Sequence, residues 1–336
     1  MQSPRILALT AALAAASLAL ASCASSAPST EPAPSAATAA QEDANFPASI
    51  KHFRGTTELA QRPLRVAALD PSYVDATIML GAELVAYTEY RKGTNPFPEY
   101  LGDTSKFTDE AVNVGTITEP DLEKLLAAEP DVIISADVRQ GAMYDQLNKI
   151  APTIFSESTG PTWKENVVLL GEALGKKEAA EQAVVSYEAR AAAVGKEILE
   201  KKPETTYSLL RFAGEDTARL YATDSFIGEI MVDMNIPRPK DAPDTTESIF
   251  VPLSPEEILK ADAEVIFQST WAPEGAEGDA SRAQEQKFTS NPLWEKLEGE
   301  AMQVDDSVFL SSVSLQGANE VITQVAEHFE VDPQLP

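Results

Sequence analysis

The sequence predicts an α/β protein of two similar lobes joined by one long helix. Strand and helix patterns alternate through most of the chain, a segment of the first half recurs in the second, and a long proline-free helical stretch separates the two.

The opening segment, FPASIKHFRGTTELAQRPLRVAALD from Phe46 to Asp70, reads as a short hairpin turning at Gly55 and then a buried strand near Arg65 to Leu69. A helix is expected from about Ser72 to Leu80, ended by Gly81, and a short strand around Leu84 to Tyr87. The next helix is placed from Pro120, at its first position, to Ala128, before the apolar strand Val132 to Ser135. Between Pro161 and Pro203 the chain reads as helical with weak breaks at Gly171 and Gly175. Its second part carries Ala180, Val184, Tyr187, Ala191, Val194 and Ile198 at spacings of four and three, an apolar stripe reaching to about Lys202. At ~1.5 Å per residue such a helix is about 40 Å long, enough to cross from one domain to another.

After Pro203 come the strand TYSLLRF, a helix over Phe226 to Asn235, and a capping-box start at Ser254-Pro255-Glu256-Glu257. The repeat sets EKLLAAEPDVII (Glu123 to Ile134) on EEILKADAEVIF (Glu256 to Phe267). It aligns Leu125 with Ile258, Leu126 with Leu259, Ala128 with Ala261 and Val132 with Val265. The expected organisation is residues 1–22 a signal segment, 23–45 a tether, 46–160 an N-terminal lobe, 161–202 a backbone helix and 203–336 a C-terminal lobe.

The first part of that division rests on Arg5 and the apolar run Ile6 to Leu20, too short to span a bilayer comfortably but long enough for a signal sequence. The run ends in LASC, which resembles the lipobox at which bacterial lipoproteins are diacylated and cleaved, so Cys23 is the expected lipidated N-terminus. Cys23 is the only cysteine, which leaves no intramolecular disulfide or zinc-thiolate site. From Ala24 to about Ala40 the chain is Ala, Ser, Thr and Pro with the single charge Glu31, a composition that cannot bury enough apolar surface to fold. The formal charge of -27 would repel nucleic-acid phosphates, so no nucleic-acid partner is expected.

Only His52 and His328 are present, neither at metal-ligand spacing, and no cofactor or bare metal site is expected. There is no GxSxG elbow and no HExxH, and GEALGKK at Gly171 has the wrong glycine spacing for a phosphate loop, which argues against an enzyme. In open α/β domains ligands bind outside the carboxyl ends of the strands. The side chains there include Tyr90 and Arg91 after the Leu84 strand, Arg139 after the Val132 strand, Arg211 at the end of TYSLLR and Trp271 after the Val265 strand, with Arg238 in NIPRPK a further candidate. Singly, a surface arginine is usually solvated or paired and a tryptophan is usually core. Together they predict a cleft with guanidinium forks for chelated oxygen anions and aromatic faces for an organic scaffold.

The blocks RPLRVAALD, VGTITEPDLEKLLAAEPDVIISAD, YDQLNKIAPTIF followed by Trp163 and LGEALGKKEAAEQ, and NPLWEKL resemble the helical-backbone, class III periplasmic binding proteins of ABC importers. That resemblance implies two Rossmann-like lobes on one rigid helix, a shallow cleft, limited closure and a lipid-anchored position on the extracytoplasmic face of the membrane. The HFRGTTEL opening and the IAPT segment resemble the iron-siderophore members. It further implies a ferric siderophore as cargo and, as partner, a permease dimer with its ATPase, docked through acidic residues at matching positions of the lobes, here Glu123 and Glu256. Haem or a corrinoid on the same scaffold, and a surface lipoprotein outside transport, stay open at this stage.

Overall fold

The computed structural model describes residues 43–335. The signal segment 1–22, Cys23 and the tether as far as residue 42 lie outside the described residues. Asp43 is already tied to the fold, its carboxylate 2.7 Å from Arg62 Nε.

A two-stranded antiparallel hairpin, β1 (Ala48–His52) and β2 (Gly55–Leu59), opens the described chain. The turn is Phe53-Arg54 rather than Gly55, which is the first residue of β2 and pairs with His52. The N-terminal sheet follows, with β3 (Arg65–Ala68), β4 (Glu83–Glu89), β5 (Val112–Thr116), β6 (Val132–Ala136) and β7 (Thr153–Ser156) in the order β5-β4-β3-β6-β7, all parallel. The C-terminal sheet contains β8 (Tyr207–Phe212), β9 (Ala218–Tyr221), β10 (Phe250–Leu253), β11 (Val265–Thr270) and β12 (Glu300–Gln303) in the order β10-β9-β8-β11-β12. Here β9 runs antiparallel to both β8 and β10, so the chain turns straight back from β8 instead of crossing over through a helix. The second half repeats the first around its central strands and departs from it at one edge.

Within each sheet the two-residue period sends alternate side chains into different cores. Val66, Ala68, Val132 and Ile134, with Tyr207, Leu209, Val265 and Phe267, enter one continuous apolar cluster that runs through both lobes. Ala67, Leu69 and Ile133 face a smaller cluster on the far side of the first sheet. Leu210, Phe212 and Ile266 face its counterpart on the second. The repeat has matching burial at each aligned pair. Leu125 and Ile258 are fully buried, Val132 and Val265 likewise, while Leu126 and Leu259 are 59% and 42% exposed.

Two helices start from well-formed caps in the N-terminal lobe. Helix α1 (Pro71–Met79) has Asp70 as its cap, accepting from Ser72 N. Helix α2 (Leu122–Ala127) is capped by Asp121, which accepts from Glu123 N and Lys124 N. Pro120 therefore stands outside the helix it was expected to begin. It bridges Gly115 instead, and Asp121 wins the cap because its carboxylate satisfies two orphan amides. In the second lobe the corresponding turn, Pro255–Ala261, is a 3-10 helix opened by the Ser254/Glu257 capping box.

The lobes are joined by α3 (Trp163–Ala173) and α4 (Lys177–Lys201). Of the two expected breaks, the one near Gly175 is present, at Leu174 to Lys176, where Gly175 takes a φ of 70°, while Gly171 lies within α3. Helix α4 alone has 25 residues, about 37 Å at ~1.5 Å each. Its stripe is buried at Ala180, Tyr187, Ala191, Val194 and Ile198, with Val184 partly covered. It packs on α3, on α5 (Phe226–Asp233) and on α7 (Leu315–His328), with α6 (Ala276–Thr289) lying on β8 and β11 instead. At Gly195 a Cβ would sit 1.7 Å from the Met234 carbonyl oxygen, so only glycine lets α4 approach the end of α5 so closely. Helix α7 also packs on α1 and α3, so the chain's last helix reaches back to the first lobe. Because one apolar core continues through this joint, opening it would expose buried surface at about 25 cal/mol per Å², which opposes wide lobe movement.

Candidate functional site

The carboxyl ends of the parallel strands in the two sheets face a cleft made of two cavities that share Tyr90 and Pro273. The first, about 370 Å³, is lined by Asp75, Tyr90 and Tyr100 from the first lobe and by Thr270, Trp271 and Asp306 from the second, among others. The second, about 590 Å³, lies between Tyr90, Arg91, Lys92 and Thr116 on one side and Glu274 and Glu277 on the other. Both are within the usual range of ligand pockets, roughly 300–1,000 Å³.

Tyr90 and Arg91 follow β4 directly. Arg91 reaches across the cleft with its guanidinium carbon 4.2 Å from the Trp271 ring centroid, and one nitrogen is 3.6 Å from Glu277. Trp271 is 6% exposed and is fixed by its amide donating to Phe212 O at 2.9 Å. This stack therefore joins a partly exposed member, Arg91, to a buried one, Trp271.

The other three arginines are already paired within the protein. Arg139, in the short helix Asp137–Gln140 after β6, donates to Asp70 Oδ2 at 2.8 Å and Thr159 Oγ1 at 3.2 Å, with its guanidinium carbon 5.9 Å from the Tyr90 ring centroid. Burial opposes its charge most, but the Asp70 carboxylate, together with Tyr90 and Tyr73, outweighs burial and raises its pKa. Arg211 lies inside β8, not at its end, with a side chain only 4% exposed. It makes two 2.7 Å bonds to the carboxylate of Asp306, which also accepts from Ser269 Oγ and Ser311 Oγ.

Arg238 is at the other end of the sheet, beside the first residue of β8, whose amide donates to Pro237 O. It pairs with Asp244 at 2.9 Å and donates to Pro243 O at 2.7 Å, so it anchors the loop after α5 and does not reach the cleft. The expected basic cleft is thus largely neutralised in place. In a chain with 53 acidic and 26 basic residues, arginines near strand ends find carboxylates before any ligand does.

Asp75, Tyr100, Asp305 and Asp306 were missed as candidates. Asp75 is 2% exposed and accepts from Ser314 Oγ at 2.7 Å and Gln316 Nε2 at 3.2 Å, both at the start of α7. Burial pushes its carboxyl up to about 6, although these bonds and one from Tyr100 pull the other way. Asp305 and Asp306 follow β12, whose sequence EAMQ is too polar to announce a strand. Applying the strand-end rule there would have found them.

Glu123 and Glu256 are both exposed, at the start of α2 and of the Pro255–Ala261 turn. Neither has an ion-pair partner among the described residues. The capping for which acidic residues are common at such positions is done by their neighbours, Asp121 and the Ser254/Glu257 pair. Each is followed three residues later by an exposed leucine, Leu126 or Leu259.

The sequence profile described as "Periplasmic binding protein" matches residues 66–306. The Probable siderophore-binding lipoprotein YfiY of Bacillus subtilis (strain 168) is 31% identical, over 88% of this chain and 93% of its own. The Fe(3+)-citrate-binding protein YfmC of the same organism is 27% identical over 74% of each chain. Among solved structures, Staphylococcus aureus SirA complexed with staphyloferrin B superposes with a TM-score of 0.76 at 27% identity, covering 85% of this chain and 100% of that one. FeuA from Bacillus subtilis, complexed with ferri-bacillibactin, gives 0.69 at 19% identity over 84% and 98%, a likeness of fold.

Proposed function

Since this chain belongs to the periplasmic binding protein family, we propose that it is a lipid-anchored extracytoplasmic protein that captures a ferric siderophore and delivers it to an ABC importer. The observation that carries this reading is the inter-lobe cleft, where Tyr90, the Arg91–Trp271 stack and the carboxylate-rich loop after β12 surround two connected cavities. Aromatic faces and a partly exposed guanidinium suit the organic shell of a chelated metal, which needs no direct protein ligand. YfiY supports the cargo and the anchor by its name, and SirA by its bound ligand. In this reading Tyr90, Arg91 and Trp271 contact the chelate. Arg139 and Arg211 hold the walls in place.

Delivery requires a surface that both lobes present alike. Glu123 with Leu126, and Glu256 with Leu259, form such a repeated pair of an unpaired acid and an exposed leucine. We assign these to docking on the two subunits of a permease, the charge steering the encounter and the leucine burying apolar surface. Cys23 carries the lipid in this reading, and Cys23→Ala would release the protein from the membrane fraction or leave it unprocessed.

Titration of intrinsic tryptophan fluorescence tests the cargo, because Trp271 lines the first cavity. Ferric hydroxamates, catecholates and citrate, haem and cobalamin form the panel. Saturable quenching by at least one ferric siderophore, lost or weakened in Trp271→Ala and Arg91→Ala, is the expected result. Tight binding of haem or cobalamin alone would overturn it.

A further inference from the structure

The first cavity has an uneven charge lining. Asp75, Asp305 and Asp306 border it, and no lysine, arginine or histidine does. Of the three carboxylates only Asp306 has a cation, Arg211, set behind it. Asp75 has none among the described residues, though it is almost entirely removed from water. Asp305 uses one oxygen, Oδ1, to accept from Ser307 N at 2.7 Å and Ser307 Oγ at 2.8 Å, and no bond to its other oxygen occurs among the described residues. Thr270, which also lines the cavity, has a buried Oγ1 with no hydrogen-bond partner among the described residues. In the second cavity, Arg91 and Lys92 are opposed by Glu274 and Glu277.

A polyanionic guest would have to bring its charge against two carboxylates without a cationic partner, the exposed Asp305 and the buried Asp75, and beside the buried one like charges repel more than in water. Rearrangement does not remove this cost cheaply. If Arg211 left Asp306 for the ligand, a third carboxylate would lose its partner. A ferric ion wrapped by three hydroxamates is neutral, whereas one wrapped by three catecholates carries three negative charges. An ammonium on the chelate's arm would bring to this cavity the positive counter-charge that its lining does not supply.

Resting on the siderophore reading above, we propose that the cleft is selective for a ferric hydroxamate chelate bearing a free amine, its ammonium directed into the cavity walled by Asp75, Asp305 and Asp306. The preference then comes from these carboxylates, of which Arg211 holds one, Asp306, in place.

The test compares ferrioxamine B, whose free amine is charged, with its N-acetylated form, which has the same iron core and no charge. Ferric enterobactin and ferric citrate are the anionic comparators, all followed by fluorescence quenching at low ionic strength. Ferrioxamine B should bind at least fivefold tighter than its acetylated form and at least tenfold tighter than either anionic complex. Asp305→Asn, which keeps a side-chain cap for the following turn, should shrink the ratio between charged and acetylated forms. An equal affinity for the two forms, or tightest binding of the catecholate or citrate complex, would overturn the proposal and leave the siderophore reading standing. Failure of every ferric chelate to bind would overturn that reading and the selectivity with it.

Discussion

Each lobe places an arginine–carboxylate pair behind the cleft, and the two pairs are built with opposite polarity. In the first lobe the central strand β3 leads to the acid, Asp70, and the arginine, Arg139, comes from the segment after β6. In the second the central strand β8 carries the arginine, Arg211, and the acid, Asp306, comes from the loop after β12. Exposure follows the swap: Arg139 is 24% exposed over a nearly buried Asp70, while Arg211 is 4% exposed beneath an Asp306 that lines the cavity. In the second lobe the anion of the pair, Asp306, lines the cavity, whereas in the first lobe neither Asp70 nor Arg139 does. Two copies of one architecture thus contribute differently to the cleft, one through a pair member that lines it and one through a pair set behind it.

The largest expected effect tests that difference in burial. Arg211→Ala removes the partner of a carboxylate in a nearly closed site and should cost about 3–5 kcal/mol, whereas Arg139→Ala, partly solvated, should cost about 1–2 kcal/mol. Urea unfolding of both variants measures this. Equal losses would mean that the swap carries no energetic weight. Weaker chelate binding by Arg211→Ala at unchanged stability would make Arg211 a ligand contact after all.

A smaller effect is expected at Asp75, the carboxylate to which neither lobe gives an arginine. Its folded pKa of about 6 is above the ordinary 3.8, so the folded state holds the proton more tightly than the unfolded chain does. The resulting stabilisation is complete below about pH 4 and is lost as pH rises toward about 6. Asp75→Asn should accordingly be more stable than the wild type by about 2–3 kcal/mol at neutral pH, with the gap closing at pH 4. Thermal melts across this range decide the sign. A variant that is less stable at neutral pH would show that the ionised carboxylate is a net benefit to the joint between α1 and α7.

The smallest change in stability, within about 0.5 kcal/mol, is expected for charge reversal at the two exposed acids. Glu123→Arg and Glu256→Arg should each reduce cellular uptake of the chelate, and the double variant should abolish it while the purified protein binds as before. Loss through one lobe only would break the equivalence that the repeat suggests. Full uptake by the double variant would place docking elsewhere.

The sequence alone determined the alternation of elements, the two related halves, the stripe on α4 and the strand ends that carry Tyr90, Arg91 and Trp271. These follow from local periodicity and from the general position of ligands at strand ends, which neighbouring residues encode. The family resemblance was likewise legible in the ordered blocks. What only the tertiary structure decided is which charges remain available. Arg211 and Asp306 are brought together by the fold, as are Arg139 with Asp70 and Asp75 with Ser314. Pairing of this kind depends on the geometry between elements far apart in the chain, so no periodicity records it. The sequence showed a cleft rich in arginine, and the fold pairs most of those charges with carboxylates.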